Sequence, residues 1–328
     1  MARVLTGIQS TGTPHLGNVL GAIQPAIEMA KDPENESFLF IADLHSLTQI
    51  KDGSLLRENT SAVAAAWLAC GLDTSRTVFY RQSDVPEVTE LAWYLSCYFP
   101  YQRMTLAHSF KDKSDRLADV NAGLFSYPML MAADILLYDA HLVPVGKDQL
   151  QHLEMTRSVA QRINHQFDPE HKRKILVVPK PLSREDNMLI PGTDGDKMSK
   201  SKGNTLSIFA DPKTLKKAIN KQIVTDATSL EAPKDPDGSV VFKLYQTLVS
   251  AHDAEEMAEK LRAGGYGWGH AKKDLLEAIV DGYAQPRARF EELMSDREAI
   301  NDELKKGAEK AREVAAKTLG RVRSAMGY

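Results

Sequence analysis

The chain has little cysteine: Cys70 and Cys97 are the only two in 328 residues. That argues against a disulfide or a cysteine metal site in favour of free thiols. Each lies in an apolar, helix-like stretch, where a buried free thiol is the expected state. No run of about 18 uncharged apolar residues occurs, which excludes an ordinary membrane-spanning helix. Met1-Ala2-Arg3-Val4-Leu5 leads straight into a strand-like segment, without the pattern of a secretory leader. A reducing cytoplasm fits these absences, and no membrane partner is expected. Charge of one sign is also lacking. Lys and Arg number 41 against 44 Asp and Glu, for a net of −3. That argues against general binding to nucleic acid, DNA included, while leaving room for a local patch. The one basic stretch, Lys305 to Arg312 continuing to Arg321 and Arg323, reads either as a solvated helix face or as contact with a polyanion. Internal repeats and low-complexity tracts are absent.

What is present is ordinary globular composition, 43% hydrophobic and 26% charged, in a length that suits two domains. Val4–Ile8, Phe38–Ala42 and Thr77–Tyr80 read as short strands. Helices are predicted from about His15 to Ala30, Leu55 to Cys70 and Val88 to Tyr98. This strand–helix alternation predicts an α/β fold with a parallel sheet covered on both faces, and ligands at the carboxyl ends of its strands. A helix over about Pro128 to Tyr138, a strand at Leu142–Val145 and a helix from Asp148 to about Asn164 follow. After Ile208 the pattern turns helical, with two long helices over about Ala271 to Met294 and Asp296 to Leu319. The expected division is a Rossmann-like catalytic domain over 1–207 and an α-helical domain over 208–328, the last helix packing back on the first domain.

Two segments carry chemistry. Gly12-Thr13-Pro14-His15-Leu16-Gly17-Asn18 reads as a tight turn entering a helix. Its glycines let backbone approach a ligand, and its exposed N–H groups and the helix dipole favour phosphate. His15 can donate to a phosphate. A capped junction with a surface histidine is the plainer reading. Lys197-Met198-Ser199-Lys200-Ser201 sits between Pro191-Gly192-Thr193-Asp194-Gly195-Asp196 and Lys202-Gly203-Asn204. Lysine is a flexible point charge suited to phosphate, and flanking glycines permit hinge motion. A solvated basic loop is the alternative, but that five-residue string arises by chance in roughly one in ten thousand chains of this length.

Together these strings resemble the two signatures of class I aminoacyl-tRNA synthetases, and the chain resembles the bacterial tryptophanyl-tRNA synthetases along nearly its whole length. Gly7-Ile8-Gln9-Ser10-Thr11-Gly12 belongs with the first signature. Met131-Ala132-Ala133-Asp134-Ile135-Leu136-Leu137-Tyr138 and Val143-Pro144-Val145-Gly146-Lys147-Asp148-Gln149 are similar to the family's central motifs. The tyrosyl enzymes share the fold and both signatures but differ in those central segments.

The resemblance implies that Asp134 accepts the indole N–H of bound tryptophan. Met131, Val143, Val145 and Leu5 would line the indole slot, and Gln9, Gln149 and His45 would complete the amino-acid site. Gln9, Ser10, Thr11, Gly17 and Asn18 match the ATP-binding turn. Gly146, Lys147 and Asp148 match the segment that meets ribose and adenosine, and Met188 the backbone contact with adenine. Lys197, Met198, Ser199, Lys200 and Ser201 form the second ATP signature. Lys113, or Lys111 two residues before it, matches a further triphosphate lysine. His15, Lys113, Lys197 and Lys200 would be catalytic. ATP is then a substrate, Mg²⁺ arrives with it rather than at a dedicated protein site, and tRNA for tryptophan is the acceptor. A homodimer and anticodon recognition by the helical domain are further implications. Three departures stand out: Leu5 where many relatives carry an aromatic, Lys147 where an acidic residue is more familiar, and the Pro191–Asp196 loop. A binding module that has lost catalysis and a different nucleotidyltransferase on the same fold are the competing readings. Intact His15, Gly17, Asn18, Lys197 and Lys200 oppose the first. The central motifs and helical C-terminal part oppose the second.

Overall fold

The computed structural model describes residues 1–106, 120–146, 149–170, 175–182 and 190–328. Among the described residues, five strands form one sheet: β1 (Ala2–Ile8), β2 (Asn35–Ile41), β3 (Val78–Arg81), β4 (Leu142–Pro144) and β5 (Lys180–Leu182). Their order is β3-β2-β1-β4-β5, and every pairing is parallel. Burial on both faces explains why Ser37 to Ile41 is an unbroken buried run rather than an alternating one. Phe38, Phe40 and Tyr80 point to one face with Leu5 and Val143, while Leu39, Ile41 and Phe79 point to the other. The chain leaves β1 toward β2 and β3, then returns across the sheet to β4. That reversal opens a crevice at the carboxyl ends of β1 and β4, where ligands bind in such sheets.

The helix entered at Leu16 is not regular. Leu16–Asn18 is α, Val19–Ile23 is a π turn and Gln24–Lys31 is α again. Pro25 has no N–H to give the preceding turn, so the ladder loosens just before it. The helix predicted from Pro128 begins earlier and spans Ala122–Leu137, with Pro128 inside it. Asn121 is its cap, accepting Leu124 N–H at 3.1 Å. The helix predicted over Ala271–Met294 is two, Trp268–Gly282 and Ala284–Ser295. Pro286 explains the break, because its ring crowds the carbonyl of Gly282 four residues back. Cys97 corrects another expectation: it is exposed. Helix Glu87–Tyr98 buries Val88, Leu91 and Leu95, and residue 97 falls off that face. Cys70 is half-buried and free, and burial pushes its thiol up to about 12.

The last helix, Arg297–Met326, runs along β3. At Gly307 a Cβ would fall inside the radius of Phe79's carbonyl oxygen, so only glycine lets helix and strand meet there. Ala308, Ala311, Ala315, Leu319 and Val322 join the same core as Leu5, Phe40 and Val143. The basic stretch on this helix is largely an intramolecular fastening. Arg312 pairs with Glu87 at 3.0 Å, Arg321 with Asp139 at 2.5 Å and Arg323 with Glu90 at 2.5 Å. On the opposite sheet face, one apolar cluster runs from Leu16 and Ile41 through Leu206 and Ile208 to Leu275 and Ile279.

Candidate active site

The two signature strings lie 180 residues apart and touch. Gly17 N–H reaches Met198 Sδ at 3.3 Å, and Leu16 N–H donates to Leu206 O at 2.8 Å. His15 caps the helix. Its Nδ1 accepts Asn18 N–H at 3.3 Å, and Asn18 Oδ1 accepts His15 N–H at 3.2 Å. This reciprocal box satisfies two donors of the helix start and fixes the imidazole. With Nδ1 accepting, Nε2 carries the ring's proton. Burial, assisted by the Lys200 ammonium, lowers His15 to about 4, so the ring is a neutral donor near pH 7.

The second signature is held by Asn204, which is buried. Asn204 Oδ1 accepts Ser199 N–H at 2.7 Å, and its amide donates to Asp194 Oδ1 at 2.7 Å and Lys197 O at 3.2 Å. Pro191 and Lys197 form an antiparallel bridge, and Met198 N–H bonds Ile190 O at 3.0 Å. Ser199 and Ser201 share a hydroxyl contact of 2.8 Å. Lys197 and Lys200 stay exposed at the tip. Although Lys200 as a residue is exposed, its ammonium reaches back to Gly12, and that partial desolvation lowers it to about 8. Gly12 has φ of 120° and an empty Cβ position, which the Lys200 ammonium borders.

Gln9 and Thr11 are half-buried beside this turn. Ser10 is fully buried. Its N–H and hydroxyl both engage Ser46 Oγ, at 3.0 and 3.1 Å, so it ties the turn after β1 to the turn after β2.

Asp134 is 2% exposed, on the inner face of helix Ala122–Leu137. His45 Nε2 lies 2.8 Å from Oδ2, and Gln82 Nε2 donates to Oδ1 at 2.7 Å and Oδ2 at 3.0 Å. Burial pushes the Asp134 carboxyl up, while the His45 and Gln82 hydrogen bonds pull it back. A carboxylate has about four acceptor sites, so one more donor can be accommodated. Gln82 in turn accepts Leu44 N–H at 3.1 Å. Asp43 accepts Ser83 N–H at 3.0 Å and Ser83 Oγ–H at 2.5 Å, locking the turns after β2 and β3 together. Leu5 and Val143 are buried in the apolar cluster on this side of the sheet, and Met131 and Val145 pack against it half-buried. Gly146 and Gln149 are half-buried at the exit of β4, with Gln149 N–H bonded to Gly146 O at 3.0 Å. Lys111, Lys113, Lys147, Asp148 and Met188 lie outside the described residues.

Two neighbours of this pocket escaped the sequence reading. Gln82 directly follows β3, and its signal was its place at a strand's carboxyl end. Phe40 lies on the strand beside Leu5, and its ring covers Gly7, where a Cβ would collide with it. Phe40 stacks on Tyr80 at 5.8 Å. An aromatic therefore stands next to β1 although Leu5 is aliphatic.

Comparison with known proteins agrees with this geometry. The family model described as tRNA synthetases class I (W and Y) matches residues 1–284. The tryptophan–tRNA ligase of Neisseria meningitidis is 45% identical, covering 99% of this chain and 97% of its own. That of Rhodopirellula baltica is 46% identical over 98% of each. The Campylobacter jejuni tryptophanyl-tRNA synthetase, solved with ADP and tryptophan, superimposes with a TM-score of 0.93 at 40% identity, over 99% of this chain and 100% of its own. On this match of fold, site and sequence, the chain belongs to the class I tRNA synthetases of the tryptophan and tyrosine type.

Proposed function

We infer that the chain activates L-tryptophan with ATP, forming tryptophanyl-adenylate and pyrophosphate, and then transfers tryptophan to the terminal adenosine ribose of its tRNA. Within the site, the observation that carries this reading is the buried Asp134 carboxylate, held by His45 and Gln82 on a helix whose Ala132, Ala133 and Ile135 join the apolar cluster of Leu5 and Val143. A site built to bond an N–H rejects analogues that lack one, because its acceptor would be left buried and unpaired.

The tryptophan carboxylate is already ionised, so no protein nucleophile is required. It attacks the α-phosphorus in line and pyrophosphate departs. Catalysis is positioning plus stabilisation of developing negative charge. His15, neutral and oriented by its Asn18 box, donates to phosphate oxygen. Lys200 and Lys197 supply positive charge on the pyrophosphate side, with Lys113 as a third. Gln9 and Gln149 orient the amino acid's polar end. Thr11, Gly17 and Asn18 face the nucleotide, and Ser10 supports that turn from behind. Gly146, Lys147, Asp148 and Met188 serve ribose and adenine.

Among the described residues no group of three or more His, Cys, Asp or Glu gathers as a metal would need. Mg²⁺ is proposed to arrive with ATP, held by the nucleotide's own phosphates, where it would neutralise charge on the triphosphate. The helical region 208–328 is proposed to read the anticodon. A homodimer is favoured by Trp93, 69% exposed, with Tyr101 and Leu106, all apolar and exposed between β3 and β4. The cytoplasm is the proposed compartment, consistent with two free thiols.

ATP–pyrophosphate exchange with single amino acids tests the reading. Exchange with tryptophan alone is expected, followed by charging of tRNA. Exchange with tyrosine would transfer the chain to the other branch, and none with either would leave a binding module.

A further inference from the structure

Helix Gly53–Ala69 contributes nothing to the site described so far, yet one of its polar residues faces it. Asn59 is only 8% exposed, and among the described residues its amide makes no hydrogen bond. The neighbouring Thr60 shows the contrast: its hydroxyl is satisfied by Leu56 O at 2.8 Å. Asn59 is not one of the side chains whose polar atoms are sealed from solvent without a partner, so its amide opens onto the cleft it lines and is available to a ligand there. Asn59 lines a cleft of about 560 Å³ with Thr13 and Glu58 on one side and Phe290, Glu291 and Met294 of helix Ala284–Ser295 on the other.

Its position within that cleft is specific. A Cβ placed on Gly12 would stand 3.2 Å from Lys200 Nζ and 3.8 Å from Asn59 Oδ1. Three elements therefore converge on one notch: the first-signature turn, the tip of the second signature and helix Gly53–Ala69. Glycine at residue 12, with its φ of 120°, keeps the notch open. A phosphate oxygen entering it would meet an ammonium and a carboxamide together.

We propose that Asn59 is a further polyphosphate-binding residue, holding the leaving pyrophosphate at the Gly12 notch beside Lys200. Its carboxamide rotates so that Nδ2 donates to a phosphate oxygen, while Oδ1 becomes an acceptor for the Lys200 ammonium. One group thus positions the cation and contacts the anion. This role rests on the reading of the chain as an amino-acid-activating enzyme and extends its pyrophosphate side to a helix that neither signature contains.

The test is ATP–pyrophosphate exchange by the full chain, with pyrophosphate, ATP and tryptophan varied in turn. Wild-type exchange with tryptophan decides the function itself. The Asn59 role is decided separately, by comparing variants with that wild type. Asn59→Ala should raise the KM for pyrophosphate by roughly tenfold or more, the scale of one hydrogen bond to a charged group. The KM for tryptophan should stay where it is. Asn59→Asp, nearly the same size, should be worse than alanine, because its carboxylate repels pyrophosphate and captures Lys200. Asn59→Asp also keeps the packing of the helix, so it remains informative if alanine fails to fold. Melting temperatures of both variants accompany the kinetics. The proposal is overturned if Asn59→Asp exchanges with wild-type KM for pyrophosphate. It is equally overturned if the KM values for pyrophosphate and tryptophan rise together in step with a lowered melting temperature, since a structural role alone predicts that.

Discussion

If Lys200 grips the polyphosphate as proposed, ATP capture is expected to depend on pH in a window where few other groups titrate. Its ammonium sits at Gly12, partly removed from water, and is lowered to about 8. The binding form is the charged one, so capture is complete below that value and is lost as pH rises through it. With a midpoint near 8, about nine-tenths of the lysines are charged at pH 7 and about one-tenth at pH 9. If only the charged form grips the polyphosphate, kcat/KM for ATP falls about tenfold between pH 7 and pH 9. That parameter reads ionisations of the free enzyme, which is the state described here. The last phosphate ionisation of ATP lies near about 6 by analogy with phosphate esters, outside the window. His15, at about 4, lies outside it as well. The assay is ATP–pyrophosphate exchange at saturating tryptophan across that range, on wild type and Lys200→Arg. Arginine keeps its charge throughout, so its profile should be flat, whatever the absolute rate lost by changing the head group. A flat wild-type profile, or the same tenfold fall in the arginine variant, would refute the assignment of that titration to Lys200.

Other substitutions probe separate parts of the molecule. On the proposed role of Lys200 as a cation facing transition-state charge, Lys200→Ala should cost about 3 kcal/mol, or roughly 10²–10³ in exchange rate, with tryptophan binding unchanged by equilibrium titration. Asp134→Ala strips Gln82 and His45 of their shared partner. Tryptophan affinity should drop and discrimination against phenylalanine should weaken, both read from exchange kinetics; preserved discrimination would place indole N–H recognition elsewhere. Gly307→Ala forces the last helix away from Phe79, at a cost of about 1–3 kcal/mol in thermal or urea unfolding. An unchanged melting temperature would mean that helix and strand separate freely.

What was legible in the sequence follows from how locally each feature is encoded. The signatures are contiguous strings, so His15, Gly17, Asn18, Lys197 and Lys200 could be found without knowing the fold, and the structure brings their segments together. Gln82, Phe40 and Asn59 are not local. Gln82 acquires meaning only when Asp134, 52 residues on, folds over it. Phe40 does so through Gly7, on the neighbouring strand. Asn59 reads as a polar interruption of an alanine-rich helix until Gly12 and Lys200 are placed before it. Proline misled in both directions. Pro128 looked like a helix start but sits inside a helix capped by Asn121, while Pro286 breaks what looked like one long helix. The basic C-terminal stretch was ambiguous because sequence gives charge without partner. Its arginines find Glu87, Glu90 and Asp139, more than 180 residues earlier.

The meeting of Gly307 with Phe79 also sets an order of events in time. A ribosome delivers the sheet strands first, yet one side of β3 stays uncovered until the chain has been made past residue 307. Through more than two hundred residues of synthesis, a growing chain therefore leaves the flank of edge strand β3 uncovered and cannot complete its core. Contacts this distant in sequence make folding slow and the unfinished state prone to aggregation. The packing of helix Arg297–Met326 against β3 is thus the step that closes that flank. Chaperone dependence during synthesis should fall when those residues emerge, rather than when the last strand does.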